Sequence, residues 1–171
     1  MSASAAEHCP PLDATARIET VWRALAAIED PELPPLTIAD LGMIRFVKVQ
    51  PDGMLEVGLS PTYTGCPATD YIGQLIEGAL ATAEIGAFSV TRVLAPPWTS
   101  DWITPEGRRK LHEYGIVPPA ERVSSAERRE LACPRCDSRD TECLSEFGST
   151  PCKALHRCRT CLEPFEVFKC I

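Results

Sequence analysis

Two Cys-x-x-Cys pairs in the last forty residues constrain this chain more than any other feature. They are Cys133-Pro134-Arg135-Cys136 and Cys158-Arg159-Thr160-Cys161, with twenty-one residues between them. A Cys-x-x-Cys turn puts two sulfurs on one side of a tight loop. Two such loops facing each other supply four thiolates at ~2.3 Å from one metal ion. The common ribbon template allows roughly 15–20 intervening residues, so this gap falls just past its edge. Residues 132–171 are therefore expected to form a four-cysteine ribbon around zinc. So short a segment cannot bury a core, and the metal takes its place. Zinc saturated by four thiolates has no open position for chemistry, so the expected role of this site is structural.

The chain has 171 residues, which leaves a body of ~130 residues, enough to fold around its own apolar core. Nothing in the first thirty residues reads as a secretory signal. No apolar run approaches the ~20 residues of a membrane span. The nine cysteines thus point to a reducing compartment, the cytoplasm, where they ligate metals or react. Residues 131–171 contain six Lys+Arg and six Asp+Glu, so the net charge of −7 lies in residues 1–130. Nucleic-acid binding shows a basic footprint; neither a nucleic acid nor a membrane is an expected partner. Arg108-Arg109-Lys110 reads as a solvated helix face.

Residues 1–12, with Cys9, are expected to be loose. A helix should follow Asp13, with Ile18, Val21, Trp22, Leu25 and Ile28 on its buried face, and stop at Asp30-Pro31. Residues 43–50 and the alternating Leu55, Val57 and Leu59 read as a hairpin around Pro51-Asp52-Gly53. A second helix should begin at Cys66-Pro67, with a stripe of Ala68, Ile72, Leu75, Ile76, Ala79 and Ala83. A third strand follows at Phe88, Val90 and Leu94. Residues 96–102 form a rigid loop with exposed Trp98 and Trp102. A short helix runs from Thr104 and Pro105 to Tyr114, ended by Gly115. Residues 118–131 are linker-like, and Phe165 to Cys170 reads as the closing strand of the ribbon. This order predicts an α+β domain over 13–117, a small mixed sheet packed with helices.

Cys66 is the main candidate for chemistry outside the ribbon. At a helix start the unpaired N–H groups and the dipole would favour a thiolate, both nucleophile and soft metal ligand. The alternative is a small buried cysteine at a tight turn. Asp30, Glu32 and Asp40 read either as turn chemistry or as carboxylates of a site. Cys143, Cys152 and Cys170 exceed what a closed zinc site needs. Cys143 reads as packing, and Cys152, which could lie near the metal loops, and Cys170 stand as auxiliary candidates. His8, His112 and His156 form no spaced pair. There is no phosphate loop, no Glu-x-x-His pair and no Gly-x-Ser-x-Gly elbow. The chain is not expected to be an enzyme.

Asp30-Pro31-Glu32, Asp40-Leu41-Gly42-Met43-Ile44 and Pro61-Thr62-Tyr63-Thr64-Gly65-Cys66-Pro67 resemble the hallmark stretches of the SufT-like iron–sulfur maturation and targeting domain. Pro97 to Ile103, Phe147 to Leu155, Glu163-Pro164-Phe165 and Phe168-Lys169-Cys170 resemble one branch of it, the phenylacetic acid degradation protein D family. Its members are accessory subunits encoded with the bacterial phenylacetyl-CoA epoxidase. The resemblance covers roughly residues 15–171. It implies an iron–sulfur cluster assembly domain-like fold and a homodimer. It also implies a maturation factor for the multicomponent epoxidase of aerobic phenylacetate degradation. The client would be the [2Fe–2S] centre of the reductase subunit or the di-iron centre of the oxygenase subunit. The family cysteine maps onto Cys66 and the family Asp-Pro-Glu onto Asp30, Pro31 and Glu32. The ribbon cysteines Cys133, Cys136, Cys158 and Cys161 map onto the metal set. Asp40 and Thr62 lie in the same hallmark stretches and join Cys66, Asp30 and Glu32 as candidates for transferring iron or an iron–sulfur cluster.

The implied cargo is transient iron or an Fe–S cluster on Cys66, and the implied partners are subunits of the epoxidase complex. The ribbon and the Trp98/Trp102 loop would dock the client. The alternative is a structural subunit or assembly chaperone of the oxygenase complex that carries no iron. A zinc-ribbon nucleic-acid binder and a thiol oxidoreductase are further rivals.

Overall fold

A computed structural model describes residues 13–119 and 131–170. The expectations for residues 1–12, with His8 and Cys9, and for most of the 118–131 linker lie outside the described residues.

Helix α1 (Ala14–Ala26) follows Asp13 as expected. Val21 and Leu25 are fully buried and Ile28 nearly so, which gives one stripe at i, i+4 and i+7. Trp22 is 39% exposed. It stands one position beside that stripe, at the edge of the helix face, and not on the core face predicted for it. The helix ends at Ala26, before the proline segment. Strands β1 (Glu29–Asp30) and β2 (Leu33–Thr37) then pair antiparallel around the Pro31-Glu32 tip.

Strands β3 (Ile44–Val49) and β4 (Leu55–Leu59) form the expected antiparallel hairpin. Strand β5 (Phe88–Arg92) joins β4 in parallel, so β4 is central in the order β3-β4-β5. A parallel pair needs a crossover, and α2 (Thr69–Thr82) supplies it. Ile72, Ile76 and Leu80 of α2 are fully buried against the core shared with Val21, Leu25, Leu55 and Val57. Helix α2 starts at Thr69 and not at Cys66. Residues 66–68 form a turn instead, in which the Cys66 carbonyl accepts from the Thr69 N–H at 3.2 Å and the Thr69 hydroxyl at 2.9 Å.

The loop after β5 also departs from expectation. Trp98 is 4% exposed; its Nε1–H donates to the Leu41 carbonyl at 2.8 Å, and its ring lies 6.2 Å from that of Phe168. Trp102 is half-buried, with the Arg45 guanidinium 3.2 Å from its ring centroid. Both tryptophans are occupied within the chain. Helix α3 (Pro105–Glu113) has the predicted cap, Thr104, whose hydroxyl accepts from the Gly107 N–H at 3.0 Å. Gly115 ends it at φ +83.

Gly42 is held by the same loop. It adopts φ +65, and a Cβ there would lie 2.4 Å from the Trp102 carbonyl oxygen. Gly42→Ala combines a left-handed backbone with an overlap that only backbone movement relieves. It is expected to cost about 2–4 kcal/mol, read as a lower denaturation midpoint at unchanged denaturant slope.

The body does not stop at the linker. Strand β6 (Ile116–Val117), directly after α3, pairs in parallel with β9 (Pro164–Phe168). With β8 (Lys153–Cys158) and β7 (Thr141–Ser145) they form one sheet in the order β6-β9-β8-β7. Cys152 and Phe168 belong to the apolar cluster of the body. A second cluster, Cys133, Cys158 and Phe165, lies within the ribbon. The observed architecture is thus the predicted α+β body followed by a small ribbon, joined by a shared sheet and a shared core.

Candidate functional site

The four ribbon cysteines converge. Their sulfurs all lie within 4.8 Å of one another, with Cys133 to Cys161 at 3.7 Å and Cys136 to Cys158 at 3.6 Å. A tetrahedron with ~2.3 Å metal–sulfur bonds has edges of ~3.8 Å, so the spacing fits zinc. The Arg135 N–H points to the Cys133 sulfur at 3.4 Å and the Cys161 N–H to the Cys158 sulfur at 3.5 Å. The Cys161 N–H also lowers the pKa of the Cys158 thiol, which favours the thiolate that a metal needs. Cys133, Cys136, Cys158 and Cys161 would hold the ion, which supplies the fold of the ribbon and no reaction.

The remaining ribbon cysteines differ from one another. Cys143 is exposed beside Glu146, at 3.9 Å, and not packed as predicted. Cys170 is exposed. Cys152 is 3% exposed and sits with the core of the body. It is not one of the four sulfurs that converge. The His156 ring packs 5.9 Å from Phe165 and its Nδ1 is buried without a partner; burial lowers its pKa.

A second group of chemically active side chains gathers where the ribbon meets the body. Cys66, in the turn before α2, is half-buried. Burial pushes its thiol up, the Ala68 N–H and the Thr69 hydroxyl oppose this, and the charges of Glu32 and Asp30 raise it further. The pKa of Cys66 is thus raised, opposite to the lowering expected at a helix start. The Cys66 turn precedes the first turn of α2, and desolvation beside two carboxylates outweighs the N–H groups.

Asp30, at the end of β1, is 6% exposed. Its Oδ1 accepts from the N–H groups of Glu32 and Leu33, both at 2.9 Å. Burial still raises its pKa, against those two bonds and the charge of Lys153. Glu32 is raised by burial and by Asp30, and lowered by Lys153. The Tyr63 hydroxyl is buried without a hydrogen-bond partner. Burial and the charges of Cys66, Glu32 and Cys152 push it up to about 12. The Cys66 sulfur is near enough to contribute but not in hydrogen-bond geometry.

Asp40 is placed differently. Its Oδ2 accepts from Lys110 Nζ at 2.7 Å and from the Thr37 N–H at 3.0 Å, and its carbonyl accepts from the Thr104 N–H at 2.8 Å. Although burial opposes ionisation, Lys110 and Thr37 keep its pKa below the usual range. Its described bonds tie β2 to α3. Thr62 is 7% exposed in the loop between β4 and α2.

Tyr63 and Cys66 pack against the apolar cluster of the body, to which Cys152 belongs, and the charge of Lys153 acts on Asp30 and Glu32. Sequence reasoning missed Tyr63 and Lys153. Tyr63 lies inside the stretch that contains Cys66 and is legible there. Lys153 has no local signal, because only the docking of the ribbon brings it to Asp30.

The Asp30 carboxylate sets a pH dependence. Its folded pKa lies above the ordinary 3.8. Its contribution to stability is fully present below 3.8 and is lost as pH rises through the folded value. At pH 7 the buried charge is unfavourable. Asn keeps the acceptor oxygen and removes the charge, so Asp30→Asn is expected to raise the melting temperature at pH 7. The advantage should disappear below pH 3.8; melting curves across pH check this.

Comparison with known proteins places these features. Residues 18–94 match the family model described as iron–sulfur cluster assembly protein. Residues 117–169 match the PaaD zinc beta ribbon domain. The chain is 48% identical over 156 residues to a protein of Escherichia coli (strain K12) named as a putative subunit of 1,2-phenylacetyl-CoA epoxidase, covering 91% of this chain and 94% of that protein. It is 36% identical over 76 residues to "Fe-S protein maturation auxiliary factor SufT" of Staphylococcus aureus (strain USA300), covering 44% of this chain and 85% of that one. The crystal structure of a domain of unknown function from Bacillus anthracis superposes with a TM-score of 0.53 at 25% identity, covering 57% of this chain and 92% of that one. Both parts of the chain, in this order and over nearly its whole length, are accounted for: the chain belongs to the iron–sulfur cluster assembly protein family, in the branch that carries the PaaD zinc beta ribbon.

Proposed function

We propose that the chain is an accessory maturation factor for a phenylacetyl-CoA epoxidase, not itself catalytic, which takes iron or a labile iron–sulfur unit on Cys66 and passes it to a client metal centre. The relatives named as an epoxidase subunit and as iron–sulfur maturation factors support the accessory role. The observation that supports the carrier step is the setting of Cys66: a half-buried thiol whose pKa is raised by burial and by the charges of Glu32 and Asp30. A thiol of this kind resists oxidation while empty. Arrival of a cation displaces its proton and makes the thiolate ligand. Few protein thiolates at the site leave the cargo open to exchange, which suits transfer. The partners are subunits of the epoxidase complex. The cysteines among the described residues are free thiols, and no helix among them is long and apolar enough to cross a membrane. Both support action in a reducing compartment, the cytoplasm.

Anaerobic reconstitution tests this reading. The zinc-loaded chain, given ferrous iron and sulfide, is expected to take up iron beyond its zinc, and Cys66→Ala to lose that uptake with zinc content unchanged. Zinc alone, with no iron uptake by the unaltered chain, would favour a chaperone that never handles the cargo.

A further inference from the structure

The loop expected to dock a client is occupied within the chain, since Trp98 is 4% exposed and Trp102 carries the Arg45 guanidinium on its ring. A different surface is open. A groove of about 420 Å³ runs between the end of α1, the β1–β2 hairpin and the first turns of α2. Its volume is in the ~300–1,000 Å³ range of ligand sites. Most of the wall is apolar: Ile28, Pro31 and Pro34 from one side, Tyr71 and Leu75 from α2. Tyr71 is 53% exposed, although its neighbour Ile72 is fully buried and fixes the helix beneath it. Two carboxylates, Glu29 and Asp30, share this lining, and among the described residues no lysine or arginine does. Glu29 is exposed. Asp30 is 6% exposed, and both of its described hydrogen bonds, from the Glu32 and Leu33 N–H groups, go to Oδ1. Lys153, whose charge acts on Asp30, is itself paired with Glu166 at 2.7 Å. The fold thus keeps a mostly buried carboxylate whose Oδ2 accepts from no described donor. Such a group is costly until a donor reaches it.

We propose that this groove docks a basic segment of the client subunit, which sets a lysine ammonium or arginine guanidinium against Asp30 and Glu29 and an apolar side chain against Tyr71 and the two prolines. This rests on the reading of the chain as a maturation factor with a client, and adds where the client is held and by what chemistry. Three observations converge on that occupant. First, the lining joins apolar walls to two acceptor groups and no cation, which calls for an apolar side chain beside a positive one. Second, residues 1–130 hold the whole net charge of −7, so the body attracts a basic segment and repels an acidic one. A second copy would bring an equally negative body. A metal ion is not the occupant, because the described side chains that converge as ligands are the four ribbon cysteines. Third, the groove lies at the end of α2 that carries the cargo thiol: Cys66 is in the turn directly before the helix and Tyr71 in its first turn. Tyrosine and arginine are frequent anchors of protein contacts. Proline and tyrosine walls also lose little freedom when a partner arrives.

Purified reductase and oxygenase subunits of the epoxidase, each titrated with the full-length, zinc-loaded chain, test the proposal. One of them is expected to bind, more weakly at about 300 mM salt than at about 50 mM. Tyr71→Ala and Glu29→Lys should each weaken that binding at least about tenfold, and Glu29→Gln less than Glu29→Lys. Both residues are exposed, so unchanged zinc content and melting temperature certify the fold of these variants. Asp30→Asn should bind at least about tenfold more weakly although it is the more stable chain at pH 7, a combination that a purely structural role does not give. Tyr114→Ala, at the end of α3 and 59% exposed, should bind as the unaltered chain does. Full affinity in Tyr71→Ala and Glu29→Lys, affinity indifferent to salt, or binding by neither subunit overturns the groove as the docking site. Iron uptake separates this outcome from the reading of Cys66. If the unaltered chain takes up iron and the groove variants bind the client fully, the groove falls and the carrier stands. If the unaltered chain takes up no iron and the groove variants lose the client, the carrier falls and the groove stands.

Discussion

Chelating the zinc is expected to unfold residues 131–170 and to withdraw Cys152 and Phe168 from the apolar cluster of the body. The ribbon's own cluster is three buried residues, Cys133, Cys158 and Phe165, and two of these are metal ligands. Structural zinc in such modules contributes about 10–16 kcal/mol of apparent binding free energy, which is folding free energy when the apo segment has no other core. The body has more than twenty buried apolar residues in one cluster and should remain folded. Hydrogen exchange read by mass spectrometry should therefore show β7, β8 and β9 losing protection while α1, α2 and β4 keep theirs. Loss of the ribbon also removes Cys152 and Phe168 from the core of the body, so the body should melt at a lower temperature. Full protection of β8 and β9 in the zinc-free chain would mean that the cage is dispensable.

Phe168→Ala is the single substitution expected to damage the fold most. Phe168 is 1% exposed and packs 6.2 Å from Trp98, centroid to centroid. It belongs to the cluster of the body although it stands on a strand of the ribbon. Truncating a fully buried phenylalanine costs about 3–5 kcal/mol. The cost falls on the joint between the two parts. Zinc content should be unchanged, and the single melting transition of the unaltered chain should split into two. Trp98→Phe loses the bond to Leu41 and leaves part of the indole volume empty, so it should cost about 2–3 kcal/mol. A single transition in Phe168→Ala, with the midpoint lowered by less than about 1 kcal/mol, would show that the ribbon does not lean on the body.

The fold is legible in the sequence where local rules govern it. The capping of α3 by Thr104, its end at Gly115 and the hairpin around Pro51-Asp52-Gly53 follow from turn and cap chemistry within a few residues. The zinc cage follows from spacing alone. What cannot be read depends on partners distant in sequence. Trp98 reads as exposed because nothing nearby reveals that Leu41 and Phe168, from opposite ends of the chain, cover it. Asp40 reads like Asp30, since both precede turns, yet Lys110 pairs with one and lowers its pKa while burial raises that of the other. Cys66 reads as a thiolate because its position before α2 suggests stabilising N–H groups. The burial and the charges of Glu32 and Asp30 that raise its pKa emerge only in the folded chain. Lys153 has no local signal of any kind.

The exchange site and the structural site also separate here by chemistry. Four sulfurs at zinc spacing make a closed site. In the proposed reading Cys66, a half-buried thiol whose pKa is raised by burial and by the charges of Glu32 and Asp30, would change charge when a cargo arrives.

The most direct test is the iron content of the epoxidase subunits after co-expression with this chain or with its Cys66→Ala variant. The account predicts client subunits filled with iron beside the unaltered chain. Beside a folded, zinc-loaded Cys66→Ala chain, client iron should fall to the level found with no accessory chain at all. Equal client iron and equal epoxidase activity with the two chains would contradict it.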